Sequence, residues 1–213
     1  MRVSAKKIAS VFVLVLTVFI VTSCENELKI CADDSGINFS YKINSSEGFL
    51  NFFSALSNLE DTKETFDTEE ISTLFEQAGF ENISAKSDGT NLFVSGKLSQ
   101  NAEDPFSKSG MIYSAQNKLF ITLNKENLLN FYNNLPEDLQ TSLDLFMSPT
   151  FTGEEMSNEE YIELISEVYG QELADEFSAA TLKLSVESPV GNKNYSIKLI
   201  EILNIKNELI FSA

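Results

Sequence analysis

The chain has no histidine and no tryptophan, and only two cysteines in 213 residues. Without histidine there is no Ser-His-Asp triad, no Cys-His pair and no imidazole metal site. Two cysteines are too few for a thiolate zinc centre or a disulfide framework. No Gly-x-Ser-x-Gly elbow, no Ser-x-x-Lys outside the first few residues and no phosphate-cradling glycine loop occurs. The common hydrolase and oxidoreductase machinery is therefore missing. No catalytic residue, cofactor or metal ligand is assigned, and the expected activity is binding rather than catalysis.

Long apolar runs are also lacking. The longest, residues 8–21, has fourteen residues broken only by Ser10 and Thr17, whereas a spanning helix needs about 20. Arg2, Lys6 and Lys7 precede it, with no acid among them, and Thr22 and Ser23 close it. A basic head, a short apolar core and small residues at the end make an export signal. It is expected to be cut between Ser23 and Cys24. Val21-Thr22-Ser23-Cys24 resembles the lipobox of bacterial lipoproteins, with Thr-Ser in place of the more usual small pair, a variant similar to those of spirochaete lipoproteins. The resemblance implies that Cys24 becomes the first mature residue and carries the lipid. Two or three acyl chains anchor durably where one does not. The expected location is the cell membrane, with the domain exported to the periplasm or cell surface. Beyond the leader the chain is similar only in a general way to uncharacterised lipoproteins of that type, and no named domain family is apparent.

Removing the three leader cations leaves 12 Lys+Arg against 32 Asp+Glu, a net charge of −20. Such a surface repels nucleic-acid phosphates and anionic lipid headgroups, which excludes a nucleic-acid partner. It favours cationic partners. Cys31 then has no partner for an intramolecular bridge, and nothing basic beside it in the chain predicts a reactive thiolate.

Residues 24–35 read as the lipidated cysteine and a polar tether, and residues 36–213 as one acidic domain. Ile37, Phe39 and Tyr41 alternate with polar residues and predict a strand. Phe49, Phe52, Phe53 and Leu56 follow at helical spacing. They read either as the face that packs on a sheet or as the lining of a pocket for an acyl chain or other hydrophobic ligand. Asp67 with Glu70 predicts a capped helix ending at Gly79, and Asp88-Gly89 predicts a hairpin turn. A second strand pair turns at Gln116-Asn117. Two helices follow, divided at Pro136, and then one long helix over 157–177 opened by Ser157 and Glu160. Leu182, Leu184 and Val186 start a closing β segment, whose return runs through "YSIKLIEIL", with "NELIFSA" as a last strand. Strands and helices in separate groups predict an α+β fold, an antiparallel sheet with helices packed on one face and the other face wet.

Two further chemistries depend on acids alone. Glu154-Glu155, Glu159-Glu160 and Asp175-Glu176 offer the paired carboxylates of a glycosidase-type hydrolase, but their helix-cap positions suit capping and solubility better. The loops "ADDSG", "NAED" and "SDG" offer oxygen ligands without the spacing of a calcium loop. The envelope protein therefore reads as an interaction module with a protein partner, as a carrier of a hydrophobic ligand, or, least economically, as a carboxylate enzyme.

Overall fold

A computed structural model describes residues 26–44, 66–88 and 91–213. They form a single α+β domain with nine strands and seven helices. A six-stranded sheet has the order β3-β4-β2-β1-β7-β8 and a smaller one the order β5-β6-β9. The large sheet comprises β1 (Asn26–Asp33), β2 (Gly36–Asn44), β3 (Phe80–Ser87), β4 (Asn91–Leu98), β7 (Thr181–Ser188) and β8 (Gly191–Lys198). All its ladders are antiparallel except one, where β1 runs parallel to β7 with Asn26 opposite Leu182. The small sheet is β5 (Ile112–Ala115), β6 (Lys118–Leu123) and β9 (Leu209–Ser212), antiparallel throughout.

The first correction concerns the expected tether. Residues 26–33 form β1, in the middle of the large sheet. Leu28, Ile30 and Ala32 point to the core between the outward Glu27, Lys29 and Cys31, a period-two pattern masked by the polar composition. Asp33-Asp34-Ser35-Gly36 is the turn into β2. Asp33 accepts from Ser35 N at 2.7 Å and from Asn38 Nδ2 at 3.1 Å. The acidic loop thus serves a hairpin.

Local signals elsewhere place the elements. The Asp67 side chain accepts from Glu69 N and Glu70 N to open α1 (Thr68–Gln77), and Gly79 follows its end at φ 101°. Gln116 and Asn117 take φ values of 53° and 60° between β5 and β6, the backbone of a type I′ turn. The stretch "SQNAEDPFSKSG", which reads as loop, holds the short α2 (Pro105–Ser109), with proline in its first turn and Gly110 left-handed after it. Then come α3 (Lys125–Asn134) and α4 (Glu137–Thr152). The latter bends at Met147 and continues through Pro149 to Thr152.

The helix expected over 157–177 is two helices, α5 (Asn158–Tyr169) and α6 (Gln171–Ala179). Gly170 separates them at φ 98°, ψ 157°, a backbone region open essentially only to glycine. The predicted cap is present: Ser157 N donates to Glu160 Oε2 at 2.7 Å, and Glu160 N to Ser157 Oγ at 3.1 Å. The return strand β8 stops at Lys198. "LIEIL" is instead α7 (Leu199–Leu203), whose Leu199, Ile200, Ile202 and Leu203 are all buried.

One face of the large sheet carries the core. At the β3-β4-β2 end an array of aromatic rings joins it to the helices. Phe39 stacks on Phe75 at 5.4 Å, Phe75 meets Phe80 at 5.5 Å, Phe80 meets Phe106 at 4.8 Å, and Phe106 meets Phe131 at 5.5 Å. Offset and edge contacts of this kind contribute beyond simple burial. At the β1-β7-β8 end the same face is covered by the small sheet, with Leu28, Leu184 and Ile197 opposite Ile121, Leu123 and Phe211.

Candidate binding surface

Ser23 and Cys24, with the signal segment, lie outside the described residues, as do Phe49, Phe52 and Phe53. The structure therefore speaks to the residues from Asn26 onward. Of the aromatic residues it does place, Phe75, Phe80, Phe106 and Phe131 are buried in the core and Phe39 packs against it.

The gap between the two sheets has a volume of about 50 Å³ and is lined by aliphatic and aromatic side chains, among them Ile30, Met111 and Ile202. That lies well below the ~150 Å³ that admits a benzene-sized ligand. No acyl chain fits there.

Glu160 and Asp175, one from each of two acid pairs, take structural positions, and Glu154-Glu155 is exposed. Glu160 closes the capping box of α5. Asp175 accepts from Gln171 Nε2 at 2.7 Å, one turn earlier on α6. The backbone and hydroxyl of Ser157 hold the Glu160 carboxyl below its ordinary range, and those of Ser35 do the same for Asp33. A general acid needs the opposite shift. Among the described residues, no group of three or more Cys, Asp or Glu side chains could hold a metal ion.

Cys31 projects from β1 on the face away from the core. It pairs in register with Asn38 and Glu187. Partial burial raises its pKa, and the Glu187 and Asp33 carboxylates raise it further. The thiol is thereby kept protonated, as its sequence context predicts. Glu187 itself is bridged to Lys29 at 2.8 Å.

The surface that stands out is this outer face of the large sheet. It presents Lys29, Lys42, Lys86, Lys97, Lys183 and Lys198, against the carboxylates Glu27, Asp33, Glu81 and Glu187. A local excess of cations on a chain with 32 Asp+Glu means that the acids are sorted away from this face. A shallow depression of about 380 Å³ lies across β1, β2, β3 and β4, bordered by Lys29, Lys42, Lys86, Ser40, Ser95 and Phe93. Phe93 is 39 % exposed, a large apolar side chain between lysines. The sequence shows each lysine in its strand. Only the strand order brings them together.

No protein-family model, no curated protein and no solved structure matches the chain. Among the described residues no helix is long and apolar enough to cross a membrane.

Proposed function

We propose that this chain is a lipid-anchored protein of the bacterial cell envelope, held by acylated Cys24, whose domain works as a binding module without catalysis of its own. The observation that carries the reading is the order of the first 24 residues: basic head, fourteen-residue apolar core, two small residues, cysteine. The domain supports it in a second way. The gap between the two sheets is only about 50 Å³, while the outer sheet face offers a partner an open surface of lysines, serines and Phe93.

Carriage of a hydrophobic ligand draws no support from the apolar gap between the two sheets, which is about 50 Å³. The test is the intact mass of the full chain purified from the membranes of a bacterial host, together with its partition between detergent and water. A diacylated or triacylated mass beginning at Cys24, lost in a Cys24→Ser variant that moves to the aqueous phase, supports the anchor. An unmodified mature mass refutes it.

A further inference from the structure

The outer face of the large sheet is graded along its strands, and the grading points at the anchor. β1 begins at Asn26, two residues after Cys24. Two extended residues reach at most about 7 Å, so an acylated Cys24 holds the start of β1 close to the level of the lipid headgroups. There is no length of chain in which the domain could stand away.

Register sets what lies at that end of the face. In the row that crosses the sheet through Glu27, the strands present Lys86, Phe93, Lys42, Glu27, Lys183 and Ser196 in spatial order. Strands about 4.8 Å apart place the three lysines within ~20 Å of one another. The single acid has a lysine on each side. Lys198, opposite Thr181, lies further toward the same end. The next row is uncharged apart from Lys29, with Ser84, Ser95, Ser40 and Ser185 around it. The carboxylates Glu81 and Glu187 come in the third row, and Asp33 beyond it.

We propose that the row nearest the anchor, Lys42, Lys86 and Lys183 with Phe93 between the first two, rests on anionic phospholipid headgroups and sets how the anchored domain stands on its membrane. The proposal rests on the anchor at Cys24. The net charge of the mature chain argues for repulsion from such a surface, but fields in physiological salt decay over about 8 Å. Asp33, six residues along β1 from Glu27, is about 20 Å further out. At contact the membrane meets the lysine row, with Asp88 after β3 as a nearby acid, while Glu81, Glu187 and Asp33 further out are screened. The lysine stems and the Phe93 ring supply apolar contact at the headgroup boundary, with the ammonium groups on the phosphates.

The absence of tryptophan makes a direct test available. The full chain carrying Phe93→Trp is purified from host membranes, its intact mass is recorded, and it is mixed with vesicles of phosphatidylcholine alone or of equal parts phosphatidylcholine and phosphatidylglycerol. Flotation reads attachment. Quenching by acyl-brominated lipid reads the depth of the indole. A second chain carries Val168→Trp, at an exposed position on α5, as a reference.

The lipidated chain is expected to float with both vesicles, with the position-93 indole blue-shifted and quenched several-fold more on the anionic ones. That gain should be lost in high salt and in Lys42→Gln/Lys86→Gln/Lys183→Gln, while the position-168 reporter stays unquenched on both. A lipidated chain whose position-93 indole is equally exposed on both vesicles overturns the row and leaves the anchor standing. Equal quenching at position 168 also overturns it. An unmodified chain that floats with neither vesicle defeats anchor and row together. An unmodified chain that floats with the anionic vesicles alone supports the row and refutes the anchor.

Discussion

The phenol of Tyr195 and the backbone of Ser212 are joined twice. Tyr195 Oη donates to Ser212 O at 2.9 Å and accepts from Ser212 N at 3.0 Å. The pair fastens the last strand of the small sheet to the edge strand of the large one, with the Tyr195 ring edge-on to Phe211 at 5.0 Å. Tyr195→Phe keeps the ring and removes both hydrogen bonds. It is expected to cost about 1–2 kcal/mol, read as a lower urea midpoint at unchanged slope. A neutral result would mean that the two sheets are held by their apolar contact alone.

A comparable link lies between the bent helix α4 and α7. Thr150, buried at 3 % exposure, donates from Oγ1 to Leu203 O at 2.9 Å. Thr150→Val preserves shape and leaves that carbonyl without its donor, for an expected loss of about 1–3 kcal/mol. Thr150→Ser should recover most of it. Equal stability of the valine and serine variants would remove the hydrogen bond from the account.

Gly170 separates α5 from α6 through its backbone and not through crowding. A Cβ built there meets nothing within 4 Å, yet φ is 98°. Gly170→Ala is therefore expected to destabilise by about 1–3 kcal/mol through strain alone. If thermal unfolding shows no loss, the two helices tolerate another junction.

The Ser157–Glu160 capping box predicts a pH dependence. Its hydrogen bonds hold the Glu160 pKa below the ordinary value of 4.5. A carboxylate with a lower pKa folded than unfolded adds stability that is complete above the unfolded value and fades as pH falls through the folded one. Glu160→Gln should thus be less stable than the natural chain at neutral pH, and the gap should close as pH drops below about 4.5. Urea midpoints of both chains across that range check it. A gap independent of pH would show that the carboxylate charge plays no part.

Cys31 is expected to alkylate more slowly than an unhindered thiol, because burial and the carboxylates Glu187 and Asp33 raise its pKa. Glu187→Gln removes one of those carboxylates and the partner of Lys29, so modification at position 31 should speed up at mildly alkaline pH. Peptide-resolved mass spectrometry reads the rate. An unchanged rate would leave burial and Asp33 as the causes.

Short-range chemistry in the sequence is enough for the Asp67 and Ser157 helix caps, the Gln116-Asn117 hairpin turn and the α+β class. Each depends on residues within a few positions of one another, where backbone conformation and capping hydrogen bonds act. The polar look of residues 26–33 hid β1, because its alternation is modest and its stability comes from β2 and β7 on either side. The apolar "LIEIL" reads as strand but is α7, with its four aliphatic residues buried and Glu201 exposed. Only the tertiary structure decided that β1 lies parallel to β7, that β9 leaves the large sheet to pair with β6, and that lysines from β2, β3 and β7 share a row with Phe93. The reason is physical: pairing between strands far apart in the chain is chosen by the burial of whole faces, and no local pattern carries that choice.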